Sequence, residues 1–193
     1  ARGIAKVQCH RLIVVAPVAL GQTVLARFVC RFQQRYPEVT FDWRTTDDPI
    51  RFSEIGCDAW IRVGPVPDDT LVVRSLGRVE RFVVASRDGL KRYGRPSTPA
   101  AAEGRPWVTL APFEGGRIPL SSQTGTVELQ PASRLSTNNI FALREAVDLG
   151  LGLAVLPKWF IQERLADGDL VDLWPAWRAP ALPIHLAYRP GRF

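Results

Sequence analysis

The chain is short of the residues from which most catalytic and metal sites are built. Its 193 residues hold no methionine, three cysteines and two histidines. Cys9, Cys30 and Cys57 are too few and too dispersed for a disulfide framework or a zinc site, and they suit a reducing compartment. They read as small buried hydrophobes. His10 and His185 stand far apart, without metal-ligand spacing. No metal and no cofactor is expected. No apolar run approaches the roughly 20 residues of a spanning helix, so no membrane partner is expected. No secretory signal pattern opens the chain. There is no G-x-S-x-G elbow and no glycine-rich phosphate motif. No nucleophile with a base in reach can be nominated, which argues against an enzyme. Lysine is scarce too: of the 25 basic residues only Lys6, Lys91 and Lys158 are lysines. The net charge is +6. The basic residues are spread over the chain, which favours a solvated surface over a nucleic-acid groove. The first residue is not Met, so a piece of a longer protein is expected.

What is present is an α/β pattern. With 46% hydrophobic residues the chain can bury a real core. Leu12-Ile13-Val14-Val15 is a β-branched apolar run, read as a buried strand ended by Pro17. Leu25, Phe28, Val29, Phe32 and Tyr36 then recur at helical spacing, predicting an amphipathic helix from Gly21 to Tyr36. Pro37 stops it, and a strand follows from Val39 to Trp43. Asp or Thr of the cluster Thr45-Thr46-Asp47-Asp48 is placed to cap a short helix through Ile55. Asp58 to Gly64 reads as a third strand. Leu71 to Val73 and Gly77 to Ser86 give separate strand signals. After Ala85 come a short helix to Tyr93, a strand Trp107 to Leu110 and a hairpin over Ile118–Leu129. Strand, turn, helix, strand then returns through Leu135-Ser136, Asn138-Asn139, the helix to Leu149 and Leu153 to Leu156. A helix from Trp159 to Leu165 follows. Pro175 to Pro183 reads as a crossing segment, and Ile184 to Tyr188 as the last strand.

Several segments match one family. They are Val15-Ala16-Pro17 with Leu20-Gly21, Arg35-Tyr36-Pro37-Glu38-Val39, Thr46-Asp47 with Pro49, and Gly56-Cys57-Asp58-Ala59-Trp60-Ile61-Arg62-Val63-Gly64. In the second half stand Gly94-Arg95-Pro96-Ser97-Thr98-Pro99, Asn138-Asn139 and, most specific, Gly150-Leu151-Gly152-Leu153-Ala154-Val155-Leu156-Pro157. Taken together and in order, they resemble the effector-binding (regulatory) domain of LysR-type transcriptional regulators. The resemblance implies an α/β chain of two Rossmann-like subdomains with a central cleft, of the periplasmic-binding-protein-like (type 2) kind. Subdomain I would take residues 1–84 and 182–193, subdomain II residues 85–181. It also implies a small-molecule effector in the cleft, a cytoplasmic homodimer or homotetramer, and DNA binding only through an amino-terminal winged helix-turn-helix that this chain lacks. Organic acids are among the effectors to test. The alternative is a periplasmic-type solute-binding protein for transport.

Strands of such a sheet present ligands to their carboxyl-end turns. The expected effector contacts are therefore Pro17, Val18, Ala19, Leu20, Thr46, Asp47, Arg62, Val63, Gly64, Asn138, Asn139 and Pro157. The family often has Ser or Thr where Ala19 stands, which leaves backbone N–H groups, with Thr23 one turn on, to meet an anion. Thr46 and Asp47 either touch the effector or cap. Arg62 either holds an anionic group or pairs with Asp47 or Asp58. Of Asn138 and Asn139, one can cap the following helix while the other faces the effector. Arg27, Cys30, Arg31 and Arg144, on the two amphipathic helices, lie either at a subunit contact or on a solvated face.

Overall fold

The computed structural model describes residues 11–48, 50–111 and 116–191. Cys9, His10, Pro49 and the leading residues before the first strand lie outside the described residues. Contacts divide the chain into two compact units, one running to Gly77 and resuming at Pro183, the other being Arg78–Leu182.

In the first unit β1 (Arg11–Ala16) is flanked by two parallel partners, β2 (Thr40–Thr45) and β3 (Ala59–Val63). β1 and β2 run in register from Arg11↔Thr40 to Ala16↔Thr45. The last strand of the chain, Ala179–Tyr188, adds antiparallel to β3, from Ile184↔Val63 to Tyr188↔Ala59. A central strand is covered on both faces, so β1 ends in three consecutive buried residues, Val14, Val15 and Ala16. Val15, Phe52, Cys57, Trp60, Leu71 and Ala187 form the core here.

The helix after β1 begins earlier than its spacing predicts. It opens with α1 (Val18–Leu20), passes through a π-helical turn, Gly21–Leu25, and continues as α2 (Ala26–Arg35). Gly21 permits this entry. A Cβ there would lie 2.7 Å from Thr45 Cγ2, so only a bare backbone fits against β2. The short α3 (Phe52–Ile55) differs from expectation at its start: Arg51 occupies the cap position and no side chain caps it. Thr46 and Asp47 are engaged elsewhere, as described below.

The second unit contains the buried end of β4 (Val72–Ser86), α4 (Arg87–Tyr93), β5 (Pro106–Leu110), the hairpin β6 (Ile118–Ser122) and β7 (Gly125–Leu129), and β8 (Ala132–Thr137). α5 (Ile140–Asp148), β9 (Ala154–Pro157), α6 (Lys158–Ala166) and β10 (Leu170–Asp172) complete it. β4 lies between antiparallel β9 and β10, and β5 pairs parallel with β8. Val83, Trp107, Ile118, Leu120, Leu129 and Val155 are among its core residues. Leu143 and Leu156 are fully buried, each contributing roughly 1.5–3 kcal/mol over an exposed state.

The two strand signals on either side of residues 74–76 form one strand, β4 (Val72–Ser86). Of the stretch expected to cross, Pro175 to Pro183, the part from Ala179 on forms the start of the last strand, β11 (Ala179–Tyr188). Its prolines contribute carbonyls, which need no N–H: Pro180 O accepts from Arg81 Nε at 2.8 Å and Pro183 O from the Gly64 N–H at 2.8 Å.

Gly152 marks the tightest backbone approach. The Leu153 N–H donates to Pro106 O at 2.9 Å and the Val108 N–H to Leu153 O at 2.8 Å. A Cβ on Gly152 would stand 2.5 Å from Pro106 O. Gly152→Ala is therefore expected to cost roughly 1–3 kcal/mol or more, as overpacking does. Urea denaturation reads this as a lower midpoint at unchanged slope; a midpoint equal to the parent's would contradict it.

Candidate functional site

The first turn is built by hydrogen bonds between the ends of β1 and β2. Pro17 stays extended, and the Gly21 N–H donates to its carbonyl at 2.7 Å. The Thr46 N–H donates to Ala16 O at 3.0 Å, and Asp47 Oδ1 accepts the Val18 N–H at 3.0 Å. Asp47 therefore serves as the cap of the helix after β1, not of α3. Thr46 Oγ1 accepts from the Asp48 N–H. The Thr23 hydroxyl donates to Ala19 O at 2.7 Å. Ala19 and Leu20 are buried, so their side chains pack inward, while Pro17 and Val18 are half-buried. The protein mass around Asp47 pushes its carboxyl above the ordinary range, and the Val18 hydrogen bond opposes that shift. The side chain still reaches water, so the effect is screened.

Arg62 stands on β3 two residues after Trp60, on the same face. Its guanidinium carbon lies 4.9 Å from the centre of the Trp60 ring, and its Nε donates to Pro65 O at 2.6 Å. Among the described residues no carboxylate pairs with it. Asp47 faces Val18, and Asp58 Oδ2 accepts the Ile13 N–H at 2.9 Å. Burial lowers the Arg62 pKa. Opposite Arg62 in the β3–β11 register is His185, whose Nδ1 lies 2.9 Å from Gly64 O. A carbonyl only accepts, so Nδ1 carries the proton there. Val63 is half-buried and Gly64 buried, the latter used by both its N–H and its carbonyl. An unneutralised guanidinium over an indole suits a planar anionic or aromatic group.

In the second unit Asn139 caps α5, its Oδ1 accepting the Phe141 and Ala142 N–H groups at 3.0 and 3.1 Å. Asn138 is exposed, and among the described residues its side chain makes no hydrogen bond. The two asparagines thus divide into a cap and an open amide. Pro157 is buried at the start of α6. The cysteines differ from the reading as buried hydrophobes: Cys57 is buried and its thiol pushed up by desolvation, but Cys30 is exposed on α2.

Residues 5–193 match the LysR substrate binding domain. The chain belongs to that family. Relatives of this LysR substrate binding domain include a probable HTH-type transcriptional regulator, LtrA, of Klebsiella pneumoniae. It is 27% identical over 168 residues, covering 86% of this chain and 54% of the relative. The HTH-type transcriptional activator AaeR of Escherichia coli K12 is 26% identical over 170 residues, 88% of this chain and 55% of the relative. The chain thus spans little more than half the length of these curated relatives. Among solved structures, the regulatory domain of AphB from Vibrio vulnificus superposes with a TM-score of 0.80 at 26% identity, covering 93% of this chain and 90% of that one. The full-length Vibrio cholerae virulence activator AphB gives 0.82 at 25%, covering 93% and 61%. The fold is the mixed α/β, type 2 periplasmic-binding-like fold of LysR regulatory domains. The relatives are transcriptional regulators, neither transport proteins nor enzymes.

Reading by residue type did not find Trp60 or His185 beside Arg62. The i, i+2 spacing of Trp60 and Arg62 was the available signal; His185 is 123 positions further on in the chain and carried none. For this LysR substrate binding domain the Asp47 contact is testable. Asp47→Ala is expected to lose about 1 kcal/mol, the usual cost of a removed helix cap, and Asp47→Asn to keep most of it. Equal thermal stability of Asp47→Ala and the parent would show that the contact does not cap.

Proposed function

We propose that the chain senses a small organic effector and thereby sets the activity of a cytoplasmic DNA-binding transcription regulator. The observation that carries this is Arg62: a partly desolvated cation, stacked on Trp60, with no carboxylate partner among the described residues. Such a group is stabilised by an incoming anion or π-system. The first turn argues for Arg62 as the anion's place, because the Val18 N–H is already given to the Asp47 carboxylate. The effector is therefore read as an organic acid or an electron-rich aromatic, with its acidic end on Arg62. The proposed contacts are Arg62, Val63 and Gly64, the turn residues Pro17, Val18, Ala19, Leu20, Thr46 and Asp47, and Asn138, Asn139 and Pro157. Ala19 and Leu20 would contribute backbone groups only. Regulation then follows from a population shift: the effector acts by the difference in its affinity for two states of the regulator. DNA contact is assigned to a helix-turn-helix outside this chain. The regulator kinship of the relatives supports a sensing over a catalytic role.

A thermal-shift screen of small organic acids and aromatics tests this. A ligand at about 100 times its Kd adds roughly 2.7 kcal/mol of stability. Arg62→Ala is expected to abolish most of the ligand-induced shift and Asn138→Ala to reduce it. Full retention of the shift in both variants would reject these contacts.

The same chain is proposed to associate with itself through the first helix. No residue of α2 is buried. Phe28 is 62% exposed, and Phe32 and Tyr36, the residue that ends the helix, have ring centres 4.7 Å apart. Phe32 also meets Phe41 of β2 edge-on at 5.3 Å. A contiguous aromatic stripe of this kind marks an association surface. Phe28→Glu is expected to convert a dimer or tetramer toward monomer in size-exclusion chromatography with light scattering; an unchanged mass would place the contact elsewhere.

A further inference from the structure

A second cluster of arginines lies in the unit formed by Arg78–Leu182, around Tyr93 at the end of α4. The guanidinium of Arg134 sits 5.4 Å from the Tyr93 ring centre and donates through Nη1 to the Tyr93 hydroxyl at 3.1 Å. That of Arg92 lies 5.9 Å from the same ring. Arg105, half-buried, borders a small hollow with Tyr93, Gly94, Pro106 and Gly152. The three arginines have no acidic partner among the described residues. The neighbouring charges are committed or apart: Lys91 pairs with Asp88 within α4, and exposed Glu103 makes no ion pair among the described residues. The arginines lower the Tyr93 pKa, Arg92 most, then Arg134.

The position of Arg134 is specific. β5 and β8 run in parallel register, but the pairing jumps from Trp107↔Ser133 to Val108↔Leu135. Arg134 is the extra residue of this bulge. Bulges re-aim a side chain, and this one delivers a guanidinium to a ring 41 positions away. The bulge interrupts a ladder and gathers like charges, two costs, the second screened because Arg92 and Arg134 are exposed. A ligand with several anionic oxygens would offset both, because guanidinium forks match phosphate bidentately. The hollow beside them is largely apolar and too small to enclose a ligand, so the ligand is held from one side. The cluster sits at the amino end of the β5–β8 pair, near Pro106↔Ala132. Asn138 and Asn139 follow the opposite end, at Leu110↔Thr137. It is therefore separate from those effector residues.

We propose that Arg92, Arg105 and Arg134, gathered around Tyr93, bind the phosphate group of a small phosphorylated ligand. The assignment does not depend on the effector reading of Arg62. Calorimetric titration of the chain with inorganic pyrophosphate at constant ionic strength tests it, alongside acetate to separate phosphate from carboxylate recognition. Saturable one-to-one binding is expected for pyrophosphate and not for acetate. Arg134→Gln and Arg105→Gln should each weaken it by about tenfold, the scale of one lost charge-assisted hydrogen bond. Tyr93→Phe should weaken it less. Arg117→Gln, just before β6 and paired with Glu128, should leave it unchanged. Absence of saturable pyrophosphate binding overturns the proposal, as does equal weakening by Arg117→Gln. Binding of a short DNA duplex without pyrophosphate binding also overturns it, in favour of a nucleic-acid surface. Circular dichroism melting identifies any variant that fails to fold, and the remaining arginine variant then decides.

Discussion

The carboxylate of Asp47 against the Val18 peptide is the contact from which the first turn takes its form. Pro17 has no N–H to prolong β1, and the helix that follows opens with peptide donors that its own backbone cannot satisfy. Where the contact is open to solvent, as here, loss of such an acceptor costs about 1 kcal/mol, the scale of one removed helix cap. The parallel register that sets Ala16 beside Thr45 brings the residues after β2 to the helix start, where the Thr46 N–H donates to Ala16 O and Asp47 supplies the acceptor for the Val18 N–H. Gly21 is the counterpart of this arrangement, because any larger residue would meet Thr45 before the helix could close on the strand. The turn is thus held by one carboxylate, two backbone bonds and one absent side chain.

This closure has an electrostatic consequence. A helix start commonly receives anions through its amides and dipole. Here a negative charge belonging to the chain already stands there, and the Thr23 hydroxyl, one turn on, is bonded to Ala19 O. An acidic ligand would meet Asp47 as a like charge. The opposite condition holds at the end of β3, where Arg62 is partly desolvated and stacked rather than neutralised. The two ends differ in sign, which is the basis on which the proposed effector is read as acidic at the end that meets Arg62.

Local pattern was enough for elements whose signal is short in range. The β-branched run before Pro17, the helical stripe through Phe32 and the Asn139 cap each follow from residues within one or two turns of each other. Patterns failed where a distant partner altered the meaning of a residue. The gap between the Leu71–Val73 and Gly77–Ser86 signals and the prolines up to Pro183 read as interruptions, yet β4 runs through that gap, and Pro180 and Pro183 accept bonds from Arg81 and Gly64, each about 100 positions away or more. Asp47 looked like the cap of the nearer helix, but strand register gave it to the helix 29 positions earlier. The Arg134–Tyr93 contact was illegible for the same reason, since a bulge leaves no mark in composition or period.

The preference for arginine over lysine has a structural counterpart as well. A composition with three lysines among 25 basic residues could reflect the genome alone. Yet guanidinium groups lie over aromatic rings throughout the chain: Arg62 on Trp60, Arg134 on Tyr93, Arg144 on Phe160 at 4.6 Å and Arg178 on Phe82 at 3.9 Å. A planar, weakly hydrated cation stacks closer than an ammonium does: on Phe82 itself, Lys158 Nζ stands at 5.7 Å. Arg178 also pairs with Asp172, and its charge is balanced within the fold. Among the described residues, Arg62 and Arg134 have the stacking without a balancing acid. Each is held in place by its ring while its charge remains unmet, which separates them from the arginines that merely pair on the surface. Rigid positioning of an unneutralised fork is what recognition of an anion requires, and it is why these two positions, rather than the net charge, carry the reading of the chain as a ligand-binding domain.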